Sequence, residues 1–211
     1  LMVTEYGPGV DPRVHSYQPE RFDFSQEYGL VYHKHYLNEM MKRPFVAGSS
    51  LWNLNDFYSE SRIDAVPHVN NKGVTGLDRE RKDTYLFYEA SLGNKDVLRI
   101  GNREWKNRGG VVNTVENTCV QSVPVFSDYP VVELYVNGKS IGSKKCEENI
   151  AFFDVPFVNG ENVVEAVARK NGKELRDMIR IDFKLIPDDL KNGDVPFTEM
   201  NVMLGSPRYF E

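Results

Sequence analysis

Hydrophobic and polar positions along the chain change period near residue 95. Before it, Val3-Thr4-Glu5-Tyr6-Gly7 is a short run in which one carboxylate arrives just before Gly7 and Pro8 turn the backbone away. This predicts a strand that delivers an acidic side chain at its C-terminal end. Residues 8–22 are rich in Pro, Gly and Asp and predict a loop. From Asp23, with Gln26 three residues later, Tyr28, Val31, Tyr32, His35, Tyr36 and Met40 recur at helical spacing up to Pro44. The pattern predicts an amphipathic helix capped by Asp23. Phe45 to Trp52 reads as a second strand, residues 53–77 as a long loop, and Arg79 to Leu92 as a second helix carrying Tyr85, Leu86, Tyr88 and Glu89. Strand, helix, strand is one βαβ step.

From Val97 the period becomes two. Cys119 to Phe126, Val131 to Val136, Ser140 to Lys145, Ile150 to Val155, Val163 to Arg169 and Leu175 to Leu185 are short β-rich runs. Asn137-Gly138, Asn159-Gly160 and Asn171-Gly172 punctuate them as tight turns. In the last run Ile179, Ile181, Phe183 and Leu185 face one way and Arg180, Asp182 and Lys184 the other. Such strands in about 90 residues suggest an immunoglobulin-like β-sandwich. Residues 187–196 read as an acidic linker, after which Met200 to Leu204, Tyr209 and Phe210 turn apolar again.

Composition narrows the function classes. The 211 residues are 40 % hydrophobic with a net charge of −5, and no Lys/Arg-rich run suggests nucleic acid or an anionic membrane as partner. No run of eighteen apolar residues occurs, and the first residues lack the basic and apolar regions of a signal peptide. The chain opens inside a strand, so the compartment stays unknown. Cys119 and Cys146 are too few and too separated for a metal site or a disulfide framework, and read as buried or half-buried thiols. His33 and His35 have no acidic or cysteine partner at ligand spacing and read as helix-surface or packing residues. No metal or cofactor is expected.

Alone, Glu5 beside a glycine reads as a solvated turn. Its motif is followed, however, by Leu51-Trp52-Asn53-Leu54-Asn55-Asp56-Phe57, by Asn70-Asn71-Lys72-Gly73 and by Asp78-Arg79-Glu80-Arg81-Lys82-Asp83. In that order these resemble the last part of the catalytic barrel of glycoside hydrolase family 2, the β-galactosidase and β-glucuronidase family. Gln121 to Phe126 and Val136-Asn137-Gly138-Lys139 resemble the β-sandwich that follows the barrel in many members. The resemblance implies the C-terminal part of a (β/α)8 TIM barrel over 1–92, an immunoglobulin-like sandwich over 97–186, and over 187–211 a linker with the opening of a malectin-like carbohydrate-binding module. The tail's alternative is an extension packed on the sandwich. The expected fold class is thus α/β plus all-β.

By the same match Glu5 is the nucleophile of a retaining β-glycosidase acting on an oligosaccharide or glycoside. Trp52 lines the first sugar subsite, with core packing as its alternative. Asn70 and Lys72 have the Asn-x-Lys spacing that grips a sugar carboxylate in β-glucuronidases, where a charged contact is stronger than a neutral one; a surface turn is the bland alternative. Galactosidase-type sequences also carry Asn-Asn-Lys-Gly, and Val66 stands where glucuronidases tend to place an arginine, so the sugar stays open. Asn53 and Asp56 read as structural. The Asn-Glu pair supplying the acid/base is absent, so the chain is expected to be an interior piece, inactive alone, of an enzyme compatible with homo-oligomeric assembly. The rival reading is a non-catalytic carbohydrate-binding or interaction module.

Overall fold

A computed structural model describes residues 1–63, 66–93 and 96–187. It is mostly β with two helices, and the described residues contain no closed barrel. The chain divides into two compact units between Tyr85 and Leu86.

In the first unit β1 (Met2–Tyr6) leads through the loop to α1 (Gln26–Met41) and then to β2 (Gly48–Leu51), which pairs parallel with β1. The helix begins two residues later than the sequence predicts. Ser25, in extended backbone, accepts a hydrogen bond from the Tyr28 N–H at 3.0 Å and is the N-cap. Asp23 instead accepts from the N–H groups of Glu20 and Ser25, turning the chain into the helix. The buried face also differs. Gln26, Gly29, Leu30, His33 and Leu37 are inside, whereas Val31, His35 and Tyr36 are exposed. His33 is therefore a packing residue.

The predicted loop after β2 contains β3 (Phe57–Tyr58) and β4 (Val69–Asn70), paired antiparallel with Phe57 opposite Asn70. The second helix, α2 (Asp83–Leu92), starts four residues later than Arg79. Arg79 has φ +65°, and the Lys82 N–H donates to Val74 O at 3.1 Å, so the charged run Asp78 to Lys82 pairs with a loop.

The second unit holds β5 (Leu98–Ile100), β6 (Asn107–Val111), β7 (Cys119–Ser127), β8 (Val131–Val136), β9 (Lys139–Lys145), β10 (Ile150–Phe157), β11 (Gly160–Lys170) and β12 (Lys173–Ile186). They form two sheets, ordered β10-β7-β5 and β6-β12-β11-β8-β9. One core lies between them: Leu98, Ile100, Val123, Val125, Phe153, Val155 and Phe157 from the first, Val132, Leu134, Val164, Ala166, Ile181 and Phe183 from the second. Phe157 and Phe183 stack across the sheets, with ring centroids 4.9 Å apart and planes within 5°. Beside Phe157 the buried Arg108 guanidinium lies over Trp105 and donates to the carbonyls of Asn102 and Trp105.

The predicted alternation of β12 holds: Ile179, Ile181 and Phe183 are buried while Arg180, Asp182 and Lys184 are exposed. Two of the three Asn-Gly pairs close hairpins, each with both residues at positive φ: Asn137-Gly138 between β8 and β9, and Asn171-Gly172 between β11 and β12. Asn159-Gly160 does not. There the chain passes from one sheet to the other, held by Asn162, whose side chain bonds the backbone of Val158 and Gly160. Strands β5 and β6 lie outside the predicted set. Strand β9 is the rim of the five-stranded sheet, with Lys139, Lys144 and Lys145 exposed and a register shift against β8 at Leu134/Tyr135. The predicted module opening at the C-terminal end lies outside the described residues, which end at residue 187.

Candidate active site

The predicted site residues all lie in the first unit, on three neighbouring stretches of backbone. In β1 three residue steps, Val3 to Tyr6, run against two in β2, Ser49 to Leu51. Thr4 and Glu5 therefore occupy a bulge, a device that re-aims a side chain at a strand end. Glu5 is exposed. Tyr6 O then accepts from Trp52 N at 2.9 Å, fixing the residue after β2 beside the end of β1. The closeness of these strand ends dictates Gly7, which has φ +153° and where an added Cβ would lie 2.3 Å from Trp52 O. Below, Tyr6 stacks on Tyr36 at 6.2 Å and Tyr36 on Tyr32 at 4.3 Å. Burial, together with a hydrogen bond to Tyr36, pushes the Tyr32 hydroxyl up to about 12.

Trp52 is 39 % exposed and meets Phe57 edge to face, so it is not a core residue of this chain. The Trp52–Asn53 peptide bond is cis. Beyond it two loops are laced together: Asn53 N donates to Lys72 O at 3.2 Å, Val74 N to Asn53 O, Thr75 N to Leu54 O, and Asp56 N to Thr75 O. Asn70 is buried, and its Oδ1 accepts from Lys72 N at 3.3 Å. Lys72 itself is half-buried. Asn71 O accepts from Val10 N, tying this segment to the loop after β1. Glu5, Trp52, Asn70 and Lys72, spread over 68 positions of sequence, are thus carried by adjoining backbone.

Asn53 and Asp56 both bond the loops that follow β2. Asn53 Nδ2 donates to Asn55 O. Asp56 Oδ1 accepts from Gly73 N at 2.8 Å and from Lys82 Nζ at 2.9 Å, while its Oδ2 lies 2.8 Å from the same ammonium. Burial pushes the Asp56 carboxyl up and the Lys82 ammonium down, and each partner's charge opposes that shift. Lys82 is the residue that sequence reasoning missed. It stands in a run of charges that gives no local signal, and its partner is 26 residues away. Among the described residues no group of three or more His, Cys, Asp or Glu side chains could hold a metal ion.

Comparison with known proteins gives this geometry its setting. A β-glucuronidase of Bacteroides fragilis is 29 % identical over 197 residues, 86 % of this chain and 26 % of that protein. The crystal structure of a Bacteroides uniformis β-glucuronidase is 39 % identical over 88 % of this chain and 22 % of its own, with a TM-score of 0.83. The chain belongs to glycoside hydrolase family 2. A further structure, B. uniformis β-glucuronidase 2 covalently bound to cyclophellitol-6-carboxylate aziridine, is 38 % identical over 88 % of this chain and 22 % of its own, at a TM-score of 0.80. This family 2 chain spans about a quarter of the length of the first curated relative. A family profile described as a domain of unknown function, DUF4982, matches residues 120–176, from β7 into β12 of the second unit.

One buried group of this family 2 segment makes a prediction about its stability. His33 is 2 % exposed, between Tyr6 and Tyr32, and burial, aided by the Lys82 charge, lowers its pKa from 6.5 to about 4. Because the folded value is the lower one, the unfolded chain binds the proton first. The contribution of His33 is complete above about pH 6.5 and is lost as pH falls through 4, a swing of about 3 kcal/mol. Urea titrations at both ends of this window should show the wild-type chain losing that much more stability than His33→Gln. Equal losses would show that His33 is not held neutral.

Proposed function

We propose that this chain supplies the nucleophile and part of the sugar subsite of a retaining β-glycosidase that cleaves β-glucuronides. On this reading residues 1–92 are the last part of a TIM barrel and residues 97–186 an immunoglobulin-like sandwich. Glu5 attacks the anomeric carbon while an acid from elsewhere in the enzyme protonates the leaving oxygen. Water then releases the sugar with retained configuration. Trp52 covers the apolar face of the ring, and Asn70 and Lys72 take the C6 carboxylate by charge-assisted hydrogen bonds.

The observation that carries the reading is the lacing of three stretches, so that the bulge at Glu5, the exposed Trp52 and the Asn70–Lys72 loop share adjoining backbone. The covalent complex of B. uniformis β-glucuronidase 2 with a 6-carboxylate ligand supports it. Val66 favours a second reading, a β-galactosidase-type sugar, because it leaves no arginine four residues before Asn70.

Side-by-side assay of the full-length enzyme on aryl β-glucuronide and aryl β-galactoside tests the choice. The carboxylate contacts should favour the glucuronide by about 10²-fold in kcat/KM. A preference for galactoside would remove Lys72 from its role and leave the nucleophile assignment standing.

A further inference from the structure

The Asp56–Lys82 pair stands out because both side chains are almost fully buried, at 4 % and 3 % exposure. Such a pair is a poor device for stability alone. The desolvation it requires offsets most of the attraction, and apolar residues of the same volume serve as well. Apolar residues could not reproduce the geometry. Asp56 Oδ1 accepts from both Gly73 N and Lys82 Nζ, and Gly73 is the residue after Lys72. An added Cβ on Gly73 would fall 2.2 Å from Asp56 N, so the loop is seated directly on the backbone of residues 55 and 56. On the far side the Lys82 N–H donates to Val74 O at 3.1 Å. The Asp56 carboxylate and the Lys82 backbone N–H therefore fix the two ends of the peptide that follows the Asn70–Lys72 motif, and the Lys82 ammonium holds the carboxylate.

We propose that the Asp56–Lys82 pair is a positioning device for sugar-carboxylate recognition, holding Asn70 and Lys72 where a C6 carboxylate is bound. The inference rests on the glucuronide reading above. Lys82 neutralises Asp56 from below and orients it, so that its Oδ1 holds the Gly73 peptide while the Lys72 side chain is left for substrate. Among the described residues neither an ion pair nor a side-chain hydrogen bond engages the Lys72 ammonium. A displacement of the loop by about 1 Å is enough to cost some 10²-fold in a positioned interaction.

The test uses the full-length enzyme on an aryl β-glucuronide, with rates expressed per titrated active site. Asp56→Asn keeps an acceptor for Gly73 but leaves Lys82 unpaired, and should raise KM about tenfold or more with a much smaller fall in kcat. Lys82→Met should do the same. Lys82→Arg, which restores charge and donors, should bring KM back to within about threefold of wild type. If Asp56→Asn does not accumulate as folded protein, the double variant Asp56→Asn/Lys82→Gln, with no unpaired charge, carries the same expectation. Losses confined to kcat, or equal in kcat and KM terms with no recovery in Lys82→Arg, would overturn the proposal in favour of a merely structural pair. Lys72→Ala separates the two levels. If it leaves KM for the glucuronide unchanged, the glucuronide reading itself fails; if it raises KM while the Asp56 and Lys82 variants do not, only the positioning role fails.

Discussion

Glu5→Gln in the full-length enzyme is expected to lower kcat/KM for its aryl glycoside by about 10⁴-fold or more, with no change in folding. On the proposed reading the amide matches the carboxylate in shape but cannot attack the anomeric carbon, so no covalent glycosyl intermediate would form. Structure is spared for a specific reason. Glu5 is exposed in the bulge of β1, and what holds the strand end there is backbone: Tyr6 O to Trp52 N and the parallel pairing with β2. Stability should therefore shift by no more than about 0.5 kcal/mol. Steady-state rates and urea midpoints measured on the same preparations check both halves. Retention of more than a tenth of the activity would remove Glu5 from the chemistry. A matching collapse in stability would make it a structural residue after all.

The second large effect belongs to the other unit. Phe183→Ala is expected to destabilise the sandwich by about 3–5 kcal/mol. Phe183 on β12 and Phe157 on β10 are each 0–1 % exposed, come from opposite sheets, and stack almost parallel. Removing one ring unseats the other. Collapse into the gap is limited because Gly110 on β6, already within 3.4 Å of Phe183 Cζ at its Cβ position, has no side chain to move in. Since a domain of this size has a total stability of about 5–15 kcal/mol, the loss should be visible as a large fall in urea midpoint. A change below about 1 kcal/mol would mean that the sheets are held together elsewhere in the core.

Much of the second unit was legible because its signals are local. β8 carries its own two-residue period, and Asn137-Gly138 and Asn171-Gly172 set the backbone of their own turns. What escaped depends on partners distant in sequence. Strand β6 contains Gly109 and Gly110 and is a strand because β12, some 75 residues on, pairs with it in parallel, Asn107 opposite Asp182. Asn159-Gly160 has the composition of a hairpin turn, but the next strand pairs in the other sheet. In α1, period alone selected Val31 and Tyr36; packing selected Gly29 and His33 instead, a choice made by the loop and strand the helix meets.

The candidate site divides in the same way. The motifs carry Glu5, Trp52, Asn70 and Lys72, because those residue types appear in order in the sequence. The bulge that turns Glu5, and the pairing of Asp56 with Lys82, are contacts between segments and leave no local trace. Lys82 in particular sits in a run of charges whose ordinary reading is a solvated helix face.

The lysines on the rim strand β9 bear on behaviour in concentrated solution. An open sheet edge is a template on which a second chain can pair. Lys144 is paired with Asp154 on β10, but an incoming copy would still bring its own Lys139 and Lys145 against the same two, on a strand whose backbone is already out of step with its neighbour. Repulsion and misregister together discourage edge-to-edge self-association. Part of that protection is electrostatic and shortens with the Debye length, from about 10 Å at 0.1 M salt to about 3 Å at 1 M, so this rim guards against aggregation best in dilute salt.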